Sequence, residues 1–325
     1  MSPHVHLLRD PGPAPLEHLR VSLHSDIDLT LGSDPSQQAE YEILVAGRPR
    51  REHITASRNL RALIIPWAGV PPETRELMLA YPDISVHNLH HNAVAAAETA
   101  VALMLAAAKF IIPIDRALRR HDWTARYRSD PAVLVEGKTL LILGYGAVGG
   151  HVAQICRGLS MRVLATRRHT SNSDPEGIHS PEALPSLLPQ ADVLIVALPL
   201  TAETNGLIGQ QELELLPPKA VLVNVGRGPI VEEEPLYRAL RDGTLYAAGL
   251  DVWYNYPEKQ AGRPRTPPSA WPFHELENVV MSPHRAGAVG SDEIELRCMD
   301  HLARLLNARA RGEKMPNLVD LEAGY

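Results

Sequence analysis

Three glycines at a fixed spacing, Gly144-Tyr-Gly146-Ala-Val-Gly149, follow the apolar run Thr139–Leu143 and open what reads as a helix. Glycine lets the backbone turn tightly and lie close to a phosphate, while a helix N-terminus adds unpaired N–H groups and the positive end of a dipole. In this strand-to-helix context the spacing is a dinucleotide fingerprint, with the amides of Ala147 and Val148 as pyrophosphate donors. A glycine turn that merely packs helix on strand is the plainer alternative. At the end of the next apolar run, where a carboxylate would take the ribose 2′-hydroxyl of NAD, the chain reads Ala165-Thr-Arg167-Arg168-His169. Two guanidiniums there can grip a 2′-phosphate, so NADP is the preferred cofactor and NAD the alternative; solvated surface arginines are the competing reading.

The elements that must position these residues show as apolar runs alternating with polar helical stretches. Val5–Leu8, Glu42–Ala46, Ala62–Ile65 and Ile84–His87 form one βα series. A second series runs through Thr139–Leu143, Arg162–Ala165, Asp192–Leu198, Ala220–Val225, Ala247–Val252 and Val279–Ser282, with the continuous apolarity of parallel strands covered on both faces. Between the series, the alanine-rich stretch Ala93–Lys109 predicts a long helix stopping near Pro113. Being apolar on most faces, it must be buried, between domains or subunits. The expected fold is α/β: two Rossmann-like domains with doubly wound parallel sheets and a cleft between them. Residues 1–112 plus 289–325 are expected to form a flavodoxin-like substrate domain, and 113–288 the dinucleotide-binding domain. A last helix, roughly Ser291–Arg311, is expected to return to the first domain.

Composition narrows the partners. A chain of 325 residues, 45% hydrophobic and 22% charged, has ordinary globular values and room for two cores. A net charge of -6 provides no broad basic field, which argues against nucleic acid or an anionic membrane and leaves small molecules. Cys156 and Cys298 stand far apart, implying neither a disulfide framework nor a zinc site and fitting a reducing cytoplasm. No apolar run approaches a membrane span of about 18 residues, and Met1–Pro15 lacks the apolar core of an export signal. His87, His90 and His91 lie close in sequence, but no acidic or cysteine partner accompanies them, so no metal is assigned.

Downstream come Ala191-Asp-Val-Leu-Ile-Val-Ala-Leu-Pro199 with Thr204, then Val223-Asn224-Val225-Gly226-Arg227-Gly228, Gly249-Leu-Asp251-Val-Trp253, and Ser282-Pro283-His284-Arg-Ala-Gly287. In this order and spacing, together with the glycine loop, they resemble the D-isomer-specific 2-hydroxyacid dehydrogenases. The resemblance implies an NAD(P)-dependent oxidoreductase that moves a hydride between the nicotinamide and a small 2-oxo or 2-hydroxy acid, of glyoxylate or hydroxypyruvate type. Carbonyl reduction needs a cation to hold the carboxylate and polarise the carbonyl, and a proton for the developing alkoxide. By resemblance, Arg227 is the clamp and His284 the acid in reduction and the base in oxidation. Asp251 would receive the nicotinamide carboxamide, Pro199 and Thr204 line the cofactor path, and Val225 and Gly287 complete the cofactor set. The amides of Ala68 and Gly69 would hold the substrate carboxylate, with Asn92 also touching substrate. A homodimer is implied, with the helix from Ala93 as the expected interface.

One departure stands out. Family members carry a glutamate five residues beyond the aspartate that hydrogen-bonds the histidine and raises its pKa; here that slot is Tyr256, counted with the catalytic set. A phenol can orient an imidazole but lends it no charge, and Glu258 lies two residues further on. Formate dehydrogenases also lack this glutamate, which makes formate oxidation an alternative, as is a catalytically silent dinucleotide sensor. The longer stretch between Tyr256 and His284, residues 257–272 above all, is expected to shape the cleft mouth or a subunit contact.

Overall fold

The computed structural model describes residues 3–33, 39–129, 131–171, 174–288 and 290–324. The chain divides into two compact units, residues 1–92 with 288–325 and residues 93–287.

The first unit is built on β1 (His4–Leu7), β2 (Asp28–Leu31), β3 (Ile43–Val45), β4 (Ala62–Ile65) and β5 (Ser85–Asn88), with α1 (Pro13–Ser22), α2 (Arg51–Thr55) and α3 (Pro72–Leu79) as crossovers. These strands make one parallel sheet in the order β2-β1-β3-β4-β5. Strand β2 was not legible in the sequence: it is a partly exposed edge strand with polar Asp28 and Thr30, so it lacks the apolar run of a covered strand.

The second unit opens with α4 (Ala93–Ala108) and α5 (Ile111–Arg119), then alternates β6 (Thr139–Leu143), α6 (Ala147–Gly158), β7 (Arg162–Thr166), β8 (Ile178–His179), α7 (Leu184–Leu187), β9 (Val193–Val196), α8 (Gln210–Leu215), β10 (Val221–Asn224), α9 (Glu233–Arg241), β11 (Ala247–Leu250) and β12 (Val279–Met281). Its seven parallel strands run in the order β12-β11-β10-β9-β6-β7-β8. Progression reverses between β6 and β9, the switch point where doubly wound sheets bind ligands at their C-terminal strand ends. Helix α10 (Asp292–Ala310) returns to the first unit and packs through Cys298, Leu302 and Leu306 against Val5, Leu19 and Ile43.

Two expectations change here. The division falls at Ala93, about twenty residues before the expected boundary at 113. The reason is packing: Ala97, Ala100, Met104 and Ala107 of α4 are buried in one cluster with Leu140, Val221 and Ala247. Gly249 on β11 takes α4 at close range, since a Cβ there would stand 2.8 Å from Leu103 Cβ; alanine and glycine permit that approach. One face of the alanine-rich helix is therefore buried within its own unit. The helical path also restarts after Phe110, whose φ of 51° breaks it, and α5 accommodates Pro113 in its first turn, where a missing N–H costs little. The other expected boundary, Val289, lies outside the described residues.

Candidate active site

Every expected cofactor or catalytic residue of the second unit follows the C-terminal end of a strand. The turn after β6 is held by backbone bonds from Gly144 and Tyr145 to the Thr166 carbonyl, at 3.2 and 2.8 Å. Gly144 has a φ of 100°, closed to most side chains. Gly149 lies so close to the turn that a Cβ would come within 2.0 Å of the Gly144 carbonyl oxygen, whereas a Cβ on Gly146 would meet nothing within 4 Å. The first and third glycines thus serve packing, and the second leaves open space beside the first turn of α6, where Ala147 is exposed and Val148 half-buried. This cradle fits a dinucleotide pyrophosphate. Arg167 and Arg168 follow β7, each with an acidic partner: Arg167 pairs with Asp174 at 2.6 Å and Arg168 with Glu203 at 3.4 Å.

After β9, the Thr204 hydroxyl donates to the Pro199 carbonyl at 2.7 Å and accepts from the Thr201 amide at 2.8 Å. Thr204 therefore shapes the Pro199 loop through its own hydrogen bonds, a local duty that its expected place on the cofactor path did not include. Val225 continues from β10, its amide bonded to the Val196 carbonyl at 3.1 Å. Arg227 is exposed, with one terminal nitrogen donating to the Gly226 carbonyl at 2.7 Å. Among the described residues its remaining N–H groups meet no protein acceptor. Glycine is required on both sides of it: a Cβ on Gly226 would stand 2.6 Å from the Leu198 carbonyl oxygen, and one on Gly228 2.2 Å from that of Trp253.

His284 follows β12 in the left-handed region, with a φ of 57°, a conformation costing a non-glycine residue about 1–3 kcal/mol unless its surroundings hold it. Gly287 closes the same turn at the end of the unit. Partial desolvation of the ring by the surrounding protein, then the nearby Arg227 charge, hold the His284 pKa below its ordinary 6.5, with Asp251 pulling the other way. No protein group bonds either ring nitrogen among the described residues. Tyr256 does not supply that bond: its phenol oxygen accepts from the Trp253 amide at 3.1 Å, and its ring lies against the imidazole at 5.6 Å between centroids, tilted by 59°. Burial pushes the Tyr256 pKa up. The expectation that the phenol orients the imidazole becomes one of ring packing; Glu258 is exposed, and no hydrogen bond or ion pair joins it to the imidazole among the described residues.

Asp251 has a structural duty that its expected role did not include. It is 0% exposed, and its carboxylate accepts from the Ser282 hydroxyl and from the amides of Arg285 and Ala286, at 2.8 and 3.0 Å for the amides. Its carboxylate faces the His284 turn. Three residues of this framework went unassigned in the sequence: Asn224, Ser282 and Trp253, whose indole N–H donates to the Ser282 carbonyl at 2.8 Å. The available signal was a polar side chain closing a wholly apolar strand, as Asn224 does.

In the first unit, the Asn88 side chain donates to the Ala68 carbonyl at 2.7 Å and so shapes the loop carrying Ala68 and Gly69; Asn92 is the last residue of that segment. His87 is structural, bonded to the Pro316 carbonyl at 2.8 Å and the Ser85 hydroxyl at 3.1 Å. Among the described residues, no group of three or more His, Cys, Asp or Glu is placed to hold a metal ion. The 257–272 segment is anchored within the second unit: Glu233 accepts from the Ser269 hydroxyl at 2.6 Å and the Ala270 amide at 2.8 Å, and Trp271 stacks on Tyr237. With Met281 and Phe273 it lines a cavity of about 400 Å³.

Comparison with known proteins agrees with this geometry. Residues 101–286 match the family model described as D-isomer specific 2-hydroxyacid dehydrogenase, NAD binding domain. A glyoxylate reductase of Korarchaeum cryptofilum is 36% identical over 233 residues, covering 70% of this chain and 66% of that protein. The chain thus matches about two thirds of that relative's length. A glyoxylate/hydroxypyruvate reductase B of Yersinia pestis is 31% identical over 294 residues, 83% of this chain and 84% of that one. A solved D-isomer specific 2-hydroxyacid dehydrogenase of Xanthobacter autotrophicus Py2, in complex with NADPH and MES, has a TM-score of 0.79 at 24% identity over 100% of both chains. At that identity the likeness speaks for the fold. With its glycine turn, its arginine after β10 and its histidine after β12, the chain belongs to the D-isomer-specific 2-hydroxyacid dehydrogenase family.

Proposed function

We propose that this chain is an NADPH-preferring reductase of small 2-oxo acids, of the glyoxylate or hydroxypyruvate kind, running the reverse oxidation with NADP. One observation carries the reading: Arg227 and His284, both exposed, stand after β10 and β12 of one sheet, close enough for the guanidinium to depress the imidazole's pKa, and that sheet carries the glycine cradle after β6. NADPH, when bound, supplies the hydride. The turn at Gly144–Gly149 and the first amides of α6 hold its pyrophosphate, and Arg167 and Arg168 favour the 2′-phosphate. Arg227 clamps the substrate carboxylate with its outward N–H groups and polarises the carbonyl, as suits a planar, permanently charged fork. Protonated His284 gives its proton to the alkoxide oxygen, and neutral His284 removes it in the oxidation. The substrate roles of Ala68, Gly69 and Asn92 belong to the same proposal.

A second copy of the chain is the proposed partner. Helix α5 buries none of its residues, and Ile111, Ile114, Leu118, Trp123, Tyr127 and Leu134 are exposed along α5 and the segment after it, an apolar surface that subunit contact would cover. No single helix among the described residues is long and apolar enough to cross a membrane, and the two cysteines are free and buried, which suits a reducing cytoplasm. The test follows loss of NADPH and of NADH absorbance with glyoxylate, hydroxypyruvate and bulkier 2-oxo acids, and NADP reduction with formate. Turnover of a 2-oxo acid with NADPH above NADH is expected. Tight NADPH binding with no turnover of any acid would overturn the reading in favour of a sensor, and turnover of formate alone in favour of formate oxidation.

A further inference from the structure

Asn224 and Asp251 end the neighbouring strands β10 and β11, 2% and 0% exposed, with the Asp251 amide donating to the Asn224 carbonyl at 3.0 Å. The Asn224 side chain accepts from the Gly226 amide at 3.0 Å and donates to the Arg227 carbonyl at 2.9 Å. Asp251 acts likewise on the other loop. Its carboxylate takes the Ser282 hydroxyl and the amides of Arg285 and Ala286, and its carbonyl takes the His284 amide at 2.8 Å. Both buried side chains therefore spend their hydrogen bonds on the loops that carry the two exposed candidates. That matters most at His284, whose left-handed conformation persists only where its surroundings over-determine it.

We propose that Asn224 and Asp251 are a coupled pair of positioning residues, Asn224 setting the Arg227 loop and Asp251, through Ser282, setting the His284 turn, so that their shared backbone bond fixes the spacing of guanidinium and imidazole. The inference rests on the roles given to Arg227 and His284 above. A displacement of about 1 Å at a reacting group can cost on the order of 100-fold in rate, so the anchors control turnover without touching substrate.

Ser282→Ala removes one anchor bond with little change in volume, and Ser282→Thr keeps the hydroxyl; Asn224→Ser shortens the other anchor. Three readouts are taken on the full-length purified protein: kcat and KM for glyoxylate, NADPH affinity by fluorescence, and the His284 titration by NMR, assigned by its loss in His284→Ala. Ser282→Ala should lower kcat about 10- to 100-fold, move the His284 titration and leave NADPH affinity within about twofold, with Ser282→Thr recovering most of the loss. Asn224→Ser should raise KM for glyoxylate and leave the His284 titration in place. Unchanged kcat and titration in Ser282→Ala would overturn the proposal, as would NADPH affinity weakened tenfold or more with kcat intact. Wild-type protein that reduces no 2-oxo acid would refute the proposed function alone, because the NMR readout tests the anchor without substrate.

Discussion

At the scale of single residues, the site combines a permanent charge with a titrating group, and each makes a distinct prediction. Arg227→Lys keeps the charge but loses the planar fork, so kcat/KM for a 2-oxo acid should fall by about two orders of magnitude with NADPH affinity unchanged. Steady-state kinetics beside a fluorescence titration checks both halves; a drop below threefold would remove Arg227 from the clamp. His284 is held below its ordinary pKa, and reduction needs its protonated form. Reduction kcat/KM should therefore decline about tenfold per pH unit above a pKa lower than 6.5, while oxidation, which needs the neutral form, is flat through neutrality. A reduction profile level to pH 8 would show that another group provides the proton. The direction follows from desolvation of the ring and from the Arg227 charge, and a phenol at position 256 brings no negative charge to offset them.

At the scale of elements, the three glycines of one turn have separable duties. Gly149→Ala would drive a methyl to within 2.0 Å of the Gly144 carbonyl oxygen, forcing α6 off β6. The expected loss is about 1–3 kcal/mol of stability, together with NADPH binding. Gly146→Ala meets open space at an ordinary negative φ, so stability should hold within about 1 kcal/mol while NADPH affinity falls. Thermal melts with and without NADPH separate the two. Equal destabilisation by both substitutions would refute this division of labour.

At the scale of the whole molecule, two features lie outside the chemistry. His91 has a buried Nδ1 with no partner among the described residues, and its pKa is lowered to about 4 by burial and by the neighbouring His301 and His90. The native state thus binds this proton more weakly than the unfolded chain, whose histidine titrates near 6.5. Stability is full above about pH 6.5 and is lost as pH falls toward 4. Denaturant midpoints from pH 7 to 4 should show this loss, diminished in His91→Asn; equal slopes in both would acquit His91. The second feature is the set of exposed apolar side chains Ile111, Ile114, Leu118, Trp123, Tyr127 and Leu134. If a second copy covers it, Ile114→Glu with Leu118→Glu should convert a dimer to monomer in light scattering while leaving NADPH affinity within about twofold. A monomeric wild-type chain would refute the partner.

The sequence by itself determined the two series of parallel strands, the glycine cradle, the paired arginines and the order of Arg227, Asp251 and His284, because each rests on local pattern: an apolar run, a turn that only glycine can make, or a motif spacing. Short edge strands such as β2 escaped because an exposed edge carries no apolar run. Which unit owns α4 was decided only in three dimensions, by Leu103 meeting Gly249. The same holds for the direction of Asp251 and of the Tyr256 phenol, since a polar side chain's role is set by the donors and acceptors that folding places beside it. Those partners, Ser282 and the amides of Arg285 and Ala286 for Asp251, and the amide of Trp253 for Tyr256, act through contacts that no spacing along the chain encodes.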